Sequence, residues 1–149
     1  MYKRKSWQEK LDSDKGLPKV VKIDGKLSTR WGTGTVVIPK PREVYEIMNK
    51  VPKGKLITIN EIRKIVAKKH HATIGCPITC GIFVWVSANA GVDKIPFWRT
   101  LKSDGSLNEK YPGEIKLQKE RLTQERHEVT QKGKKYFVVD FEKSLWKIK

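Results

Sequence analysis

A loop of unusual composition follows an apolar stretch of the chain. Residues 94–100 read Lys-Ile-Pro-Phe-Trp-Arg-Thr, and they separate the apolar segment 77–90 from a Ser-Asp-Gly turn at 103–105. The aromatic rings of Phe97 and Trp98 could stack on a nucleobase, and the arginine that follows could bind a phosphate or a carboxylate. A phenyl ring has no nucleophilic lone pair, and an indole is not a base at neutral pH. The central question is therefore whether this loop catalyses a reaction or only binds.

The charge of the chain favours a polyanionic partner. Of its 149 residues, 32 are lysine or arginine and 16 are aspartate or glutamate, which gives a net charge of +16. Solubility alone requires far less charge in a small domain. Because the basic residues are spread along the whole chain and are not gathered beside one apolar segment, nucleic acid is favoured over a membrane surface.

The apolar residues suffice for one folded domain but not for a membrane span. Hydrophobic residues make up 38% of the chain, which allows a sizeable core, and a monomer is expected. No apolar run reaches the roughly 18 residues of a membrane span, and the basic start of the chain is not followed by the apolar region of a secretory signal. We therefore expect a cytoplasmic protein without a membrane partner.

Residues 1–40 are predicted to be a basic extension with short strands. They contain ten lysine or arginine residues against four acidic ones. The β-branched runs at 20–23 and 35–38 are separated by glycine-containing turns, which is typical of a small sheet or hairpin. The glycines at positions 32 and 34 belong to no complete nucleotide-binding motif, so no cofactor is expected.

Two helices are predicted between residues 41 and 69. The first begins at Pro41, ends before a Pro-Lys-Gly turn, and carries apolar residues at helical spacing. Thr58 can cap the second helix, and Glu61, three residues later, completes a capping box. The exposed side of this second helix carries basic residues that can contact phosphates, among them Lys64 and Lys68.

A third helix is predicted from Pro77 to Ala90, and with the second helix it makes a helix-turn-helix. One face carries apolar residues at helical spacing: Ile78, Ile82, Trp85 and Val86. The opposite face carries Thr79, Cys80, Phe83 and Ser87. Because this helix contains no lysine or arginine, any contact it makes with DNA must use DNA shape or apolar groups.

The last part of the chain is predicted to contain one helix and a strand extension. A charged helix is expected from about residue 114 to residue 126, with Ile115 and Leu122 facing inward. Residues 136–141, which read Tyr-Phe-Val-Val-Asp-Phe, are typical of a strand, and residues 145–148 are typical of a final short one. Residues 130–149 are therefore assigned to a C-terminal strand extension.

Five short motifs at matched spacing resemble the O6-alkylguanine-DNA alkyltransferase family, also called the methylated-DNA-protein cysteine methyltransferases. The motifs are residues 56–62, like the family's entry into its helix-turn-helix; Asn89, eight residues before Phe97, as the hinge asparagine precedes the family's cysteine; residues 95–100, in place of Pro-Cys-His-Arg-Val; Tyr-Pro-Gly at 111–113; and residues 124–127, like Glu-Gly-His. The resemblance covers residues 41–129. It implies an α+β fold, a winged helix-turn-helix domain of the alkyltransferase C-terminal type with small β elements at the N- and C-termini. The implied partner is double-stranded DNA.

The resemblance also implies that methyl transfer is lost. In that family the loop cysteine attacks the alkyl carbon, the adjacent histidine activates it, and the proton network ends on a glutamate that corresponds to Glu125. Phe97 and Trp98 stand in place of the cysteine and the histidine. The chain is therefore expected not to be an enzyme, and Glu125 is expected to be a helix-end residue with nothing to orient. The loss of the nucleophile is similar to the cysteine-lacking, alkyltransferase-like branch, which binds alkylated guanine and passes it to other repair proteins.

Further departures bear on base flipping. Cys80 stands where the family places the arginine that fills the base stack after flipping, so Thr79 or Phe83 would have to fill it here. Ile59 stands where the family places a tyrosine that rotates a phosphate. Phe97 and Trp98 could stack on a purine or could fill the vacated pocket as core, and both alternatives stay open. Arg99 is expected to tie the loop to backbone carbonyls or a carboxylate. The residues expected at the DNA or the base are Phe97, Trp98, Arg99, Thr79, Cys80, Phe83, Asn89, Ser103, Tyr111, Lys64 and Lys68.

Three rival interpretations are open. The first keeps an active methyltransferase with Cys80 or Cys76 as a relocated nucleophile, although small helical cysteines usually serve packing. The second is a zinc site formed by the two cysteines with His70 and His71, but the spacing fits no common finger, so no metal is expected. The third is a winged-helix nucleic-acid-binding or regulatory protein without lesion specificity. It predicts equal affinity for alkylated and normal duplex.

Overall fold

Six α-helices and three small β-sheets make up the described part of the chain, residues 6–13, 16–25 and 27–147, in a computed structural model. The fold is α+β. In chain order the elements are α1 (Trp7–Asp12), β1 (Lys19–Lys22), α2 (Leu27–Trp31), β2 (Thr35–Ile38), α3 (Pro41–Lys50), β3 (Ile57–Thr58), α4 (Ile59–Lys69), β4 (Ile74–Gly75), α5 (Pro77–Ala90), β5 (Thr100–Leu101), α6 (Glu114–Gln124), β6 (Val129–Lys132) and β7 (Lys135–Val138). The basic start of the chain and Ile148, within the expected final strand, lie outside the described residues.

Helices α3, α4 and α5 enclose the main core, and their ends follow the capping signals of the sequence. At the start of α4 the Thr58 amide donates to Glu61 Oε1 (3.1 Å) and the Thr58 hydroxyl donates to the same oxygen (2.6 Å), so the predicted capping box is confirmed. Helix α3 begins at Pro41 as predicted. The core between these helices contains Val44, Met48, Val51, Ile57, Ile62, Val84, Ala88, Ile95, Phe97 and Tyr111.

Helix α5 buries the face that the sequence analysis assigned in part to DNA. Cys80 is fully buried against Val37 and Val66, and Val84, Ser87 and Ala88 continue the buried face. Ile78, by contrast, is 59% exposed, and Ile82 is exposed one turn later. A helix that is apolar on nearly every side has no hydrophobic period that could tell the inner face from the outer one.

The N-terminal region forms a sheet with the turn of the helix-turn-helix. Strand β1 pairs antiparallel with β2, as the sequence predicts for a hairpin, and β2 pairs in parallel with β4. Two short helices, α1 and α2, were not predicted. Helix α1 is capped by Ser6, buries Leu11, and packs on α3 and α5. Helices this short depend on tertiary packing, which a local pattern does not reveal.

The C-terminal region supports the loop that follows α5. Strand β3 pairs in parallel with β5, and β6 pairs antiparallel with β7. The strand expected over 136–141 is confirmed but ends at Val138, because Phe141 begins a 3-10 turn that packs against Gly105. Instead of a strand, Leu145 forms a single β-bridge to Leu56. None of the helices in the described ranges has the length and apolar character of a membrane span.

Candidate nucleic-acid interface

The helix-turn-helix is held to the loop after β5 by a small hydrogen-bond network. Arg63 of α4 donates from Nε to the Gly75 carbonyl (2.9 Å) and from Nη1 to Asn60 Oδ1 (3.3 Å). The Ser103 hydroxyl donates to the same Asn60 oxygen (3.1 Å). These bonds fix α4, the turn before α5 and the loop relative to one another. Ser103 is exposed and therefore has both a structural contact and access to solvent.

Helix α4 presents cations outside this network. Lys64 and Lys68 are exposed, as the sequence predicts. Lys69 instead lies 3.5 Å from the Glu43 carboxylate, which also binds His70 Nε2 at 2.7 Å. Burial alone would raise the pKa of Glu43, but hydrogen bonds from His70 and the Lys40 amide outweigh it and lower that pKa. The side chains on α4 that remain available for phosphates are therefore Lys64 and Lys68.

A cleft of about 380 Å³ lies between α5 and the loop 102–110. Its apolar lining comes from Ile59, Ile78, Ile82 and Trp85, and its polar lining includes Lys102, Ser103, Asn108, Glu109 and Lys110. The Lys110 ammonium lies 5.1 Å from the centre of the Trp85 ring, and Lys102 binds Glu109 at 2.9 Å. Glu109 neutralises Lys102, so the groups that suit a flat ring attached to a phosphate, as in a nucleotide, are the Trp85 indole and the Lys110 ammonium.

Trp85 is positioned from two sides. The ring of Trp7 in α1 meets it edge to face, with ring centres 5.6 Å apart. The Asn89 amide donates to the Trp85 carbonyl (2.8 Å) and to the Lys110 carbonyl (3.0 Å), so it joins the end of α5 to the loop. Asn89 was expected at the DNA. In this structure both of its donated bonds go to protein backbone, and it acts by holding the cleft together.

The loop between α5 and β5 turns Phe97 into the protein. The Phe97 side chain is 1% exposed and packs edge to face against Tyr111, with ring centres 5.6 Å apart. The Tyr111 hydroxyl donates to the Thr100 carbonyl (2.9 Å), and burial raises the pKa of Tyr111 far above its usual range. Neither ring reaches the surface. Both rings complete the core, which is one of the two alternatives left open for Phe97, and contact of Phe97 or Tyr111 with a base stays a prediction.

Trp98 and Arg99 converge on Glu125. The Arg99 guanidinium donates to both carboxylate oxygens (2.7 and 2.9 Å), Trp98 Nε1 donates at 2.9 Å, and the Gly54 amide donates at 3.2 Å. Arg99 also donates to the Val51 carbonyl (2.7 Å). Arg99 thus ties the loop to a carboxylate and a backbone carbonyl, as expected. The expectation that Glu125 has nothing to orient is wrong, since it receives the indole and the guanidinium.

The electrostatics of this cluster follow from its burial. Burial raises the pKa of the Glu125 carboxylate, but hydrogen bonds from Arg99, Trp98 and Gly54 stabilise the charged form and bring the pKa below its ordinary value. His127 is half-buried nearby, and desolvation lowers its pKa. Glu125 is therefore an acceptor in a closed structural network.

The fold compares with two solved structures. The crystal structure of S. pombe ATL in complex with DNA matches with a TM-score of 0.56 and 22% identity, covering 72% of this chain and 94% of that chain. S. pombe Atl1 in complex with damaged DNA containing O6-carboxymethylguanine matches with a TM-score of 0.54 and 21% identity, with the same coverage. The fold is alkyltransferase-like. No protein-family model matches the sequence, and no curated protein matches it.

Three α5 residues expected at the base stack differ in their access within this alkyltransferase-like fold. Cys80 is fully buried, so it cannot contact DNA. Thr79 and Phe83 are half-buried, and Phe83 packs on the main core. The side chains that α5 exposes are the unpredicted Ile78 and Ile82. They share a cleft with Trp85, Lys102 and Lys110, which the sequence analysis also left out of the site.

Trp98 lies at a different depression. It lines a surface cleft of about 460 Å³ together with Lys94, Arg99 and Arg121, and none of these residues lines the cleft beside α5. The Arg121 guanidinium lies 5.5 Å from the centre of the Trp98 ring. The rings of Phe97 and Trp98 touch edge to face but differ in exposure: Phe97 is core, and Trp98 is half-buried under arginine.

The thiol of Cys80 should be nearly unreactive in the folded protein. Burial, with a smaller contribution from Cys76, raises the pKa of Cys80 to about 12. The ordinary pKa is 9.0, so this shift lowers the fraction of Cys80 present as thiolate at neutral pH about a thousandfold. In a Cys76→Ala variant we expect a thiol reagent to label Cys80 only at the rate of unfolding, and rapidly in urea. Fast labelling of the native protein would restore Cys80 as a candidate nucleophile.

Metal-ligating side chains do not gather in the described ranges. No group of three or more histidine, cysteine, aspartate or glutamate residues there is arranged to hold a metal ion. Cys76 and Cys80 are both buried beside β2, whereas His71 is exposed on the turn and His70 binds Glu43. The four side chains of the alternative zinc site therefore lie in different surroundings.

Proposed function

We propose that this chain binds double-stranded DNA through its helix-turn-helix and recognises alkylated guanine or related damage without transferring the alkyl group. Residues 41–129 would be the DNA-binding unit. The observation that carries the proposal is the Trp85 cleft, which lies beside the exposed isoleucines of the second helix and is lined by Lys110 and by Lys102, the latter paired with Glu109. The net charge of +16 supplies the attraction to the phosphates.

The comparisons support DNA as the partner. Both structural neighbours were solved as DNA complexes, and one of the duplexes carries O6-carboxymethylguanine. The absence of transfer rests on this chain's own residues. Phe97 offers no nucleophile, and the Cys80 thiol is buried with a raised pKa. Passing the lesion to other repair proteins is part of the same proposal.

A second function is favoured by one specific observation. Phe97 and Tyr111 fill the space beneath the loop, so an extruded guanine could not enter there without displacing core rings. A winged-helix DNA-binding or regulatory protein without lesion preference has no need of that space. The two functions differ in whether the Trp85 cleft discriminates modified from unmodified guanine.

Trp85→Ala should weaken binding to a duplex that contains O6-methylguanine. Stacking of a base on an aromatic side chain is worth about 1–3 kcal/mol, so we expect a loss of about five- to 150-fold, whereas Trp85→Phe should retain most of the affinity. Binding can be followed by fluorescence anisotropy with modified and unmodified duplexes of one sequence. Urea unfolding of both variants separates lost contact from lost stability, since Trp85 also supports Trp7.

Each outcome of this comparison selects a function. A wild-type preference for modified duplex that disappears in Trp85→Ala supports damage recognition. Equal affinity for the two duplexes supports the alternative function. Binding that is absent, or that does not weaken as salt rises, would contradict both. Incubation with labelled O6-methylguanine DNA tests the enzyme directly, and label on the protein would contradict the absence of transfer.

A further inference from the structure

The β1–β2 hairpin is joined to the helix-turn-helix at the turn itself. Strand β2 pairs in parallel with β4, which lies between α4 and α5, and the Cys76 amide donates to the Val37 carbonyl (2.9 Å). The Thr35 amide donates to Thr73 Oγ1 (3.0 Å), and the Thr73 amide donates to Thr35 Oγ1 (3.1 Å). The hairpin and the turn are therefore one piece of structure.

Gly34 permits this close approach. It has a positive φ of +117°, and a β-carbon there would collide with the Thr73 side chain. Any other residue would displace the Thr73 side chain and so disturb its hydrogen bond with the Thr35 amide. The contact between them is thus a feature that the sequence specifies through one glycine.

The outer strand of this hairpin is cationic and exposed. Every residue of β1 is exposed, and two of the four are lysines, Lys19 and Lys22. Lys22 pairs with Thr35, which contacts Thr73, so two strand spacings of about 4.8 Å each place Lys22 about 10 Å from the turn. Strand β1 is the edge of its sheet, so its outer backbone amides face away from β2.

The acidic residues near this surface leave the lysines available. Among the described residues, neither Lys19 nor Lys22 forms an ion pair, and the same holds for Lys64 and Lys68 on α4. Nearby carboxylates are otherwise engaged, since Glu43 binds Lys69 and His70 and Glu61 caps α4. Asp24 is exposed after β1 and offsets one of the positive charges.

We propose that the β1–β2 hairpin is a second phosphate-contacting element that binds the backbone of the same duplex beside the helix-turn-helix. Lysine ammonium groups together with outward backbone amides are the donors that proteins use on phosphate oxygens. The hairpin is joined to the turn that follows α4, and its exposed edge strand brings two further lysines to the duplex as phosphate contacts. Its contribution is therefore affinity that depends on salt and not on sequence or lesion. The inference rests on the proposed DNA binding.

The test is the salt dependence of duplex binding in a Lys19→Ala/Lys22→Ala variant. Each phosphate contact contributes about 0.9 to the slope of log affinity against log salt, so losing two should lower the slope by about 1.8. If the affinities converge near 1 M salt, this slope change corresponds to binding about 60-fold weaker at 0.1 M salt. A matched control, Lys116→Ala/Lys147→Ala, removes the same charge from exposed positions on α6 and after β7 that form no ion pair among the described residues, and it should leave the slope near the wild-type value.

The probe is an unmodified duplex of two helical turns, measured from about 50 to about 200 mM salt. Lys19→Arg/Lys22→Arg should keep the wild-type slope. If the hairpin and control variants lose the same slope, the effect is net charge and the inference is wrong. If Lys64→Ala/Lys68→Ala weakens binding and the hairpin variant does not, the hairpin inference fails while the proposed function stands. If the wild-type chain binds no duplex, the proposed function fails as well. If the Lys19→Ala/Lys22→Ala variant binds anionic vesicles more weakly than wild type but binds the duplex equally well, the surface binds lipid and the proposal is overturned.

Discussion

Phe97→Ala should lower the free energy of unfolding by about 3–5 kcal/mol, the range for removing a buried aromatic side chain. The ring is 1% exposed and contacts both Trp98 and Tyr111 edge to face, so its removal leaves a cavity that rigid neighbours cannot close. Urea denaturation followed by tryptophan fluorescence measures the change. The role of the Phe97 ring in this chain is therefore to fill the core.

Two controls separate packing from DNA contact. Phe97→Leu keeps most of the volume and should cost clearly less than alanine. Ile78→Ala removes a side chain that is 59% exposed and should change stability by less than about 0.5 kcal/mol. The affinity of folded Phe97→Ala for duplex should stay near the wild-type value. Normal stability combined with a lost preference for modified duplex would show that the ring contacts the base after all.

The local signals in the sequence predicted the frame of the fold well. Thr58 and Glu61 predicted the start of α4, Pro41 and Pro77 predicted the starts of α3 and α5, and the β-branched runs predicted β1 and β2. Each of these signals acts within a few residues, through a cap, a fixed backbone angle or an alternating pattern. Such signals predict structure reliably because the interactions behind them lie within one helix or strand and do not depend on how it packs.

The site was predicted less well because its geometry depends on distant partners. Glu125 lies 26 residues from Arg99 and 71 from Gly54, so no local spacing indicates the network that they form. The exposed face of α5 could not be identified either, since that helix has no charged residue to mark its outer side. Trp85 and Lys110 were missed for the same reason: the cleft that joins them is created by the loop packing on α5.

The cluster around Glu125 supports the loop after α5. Arg99 of this loop binds the carboxylate at the end of α6. The two residues before Arg99 are a core phenylalanine and an indole that donates to the same carboxylate. A network that could serve proton transfer with a histidine serves here as a brace, because an indole N–H only donates.

Arg99→Ala should destabilise the protein by about 3 kcal/mol, at the low end of the range for breaking a buried ion pair because Arg99 retains 13% exposure. The loss leaves the Glu125 carboxylate, which is 6% exposed, with only the indole and one amide as donors. Arg99→Lys should recover part of the loss, since an ammonium keeps the charge but cannot reproduce the bidentate contact and the bond to Val51. Urea midpoints of the three proteins at neutral pH measure this order.

The same pair predicts how stability depends on pH. Because the pKa of Glu125 is lower in the folded chain than in the unfolded one, its contribution is complete above the ordinary carboxyl pKa of about 4.3 and is lost as pH falls through the folded value. The wild-type protein should therefore lose stability more steeply on acidification than Glu125→Gln, which has no carboxylate to protonate there. Other carboxylates with lowered pKa values, such as Asp104 and Glu109, titrate equally in both proteins and cancel in the comparison. Parallel curves for the two proteins, or an Arg99→Ala variant as stable as wild type, would show that the pair does not brace the loop.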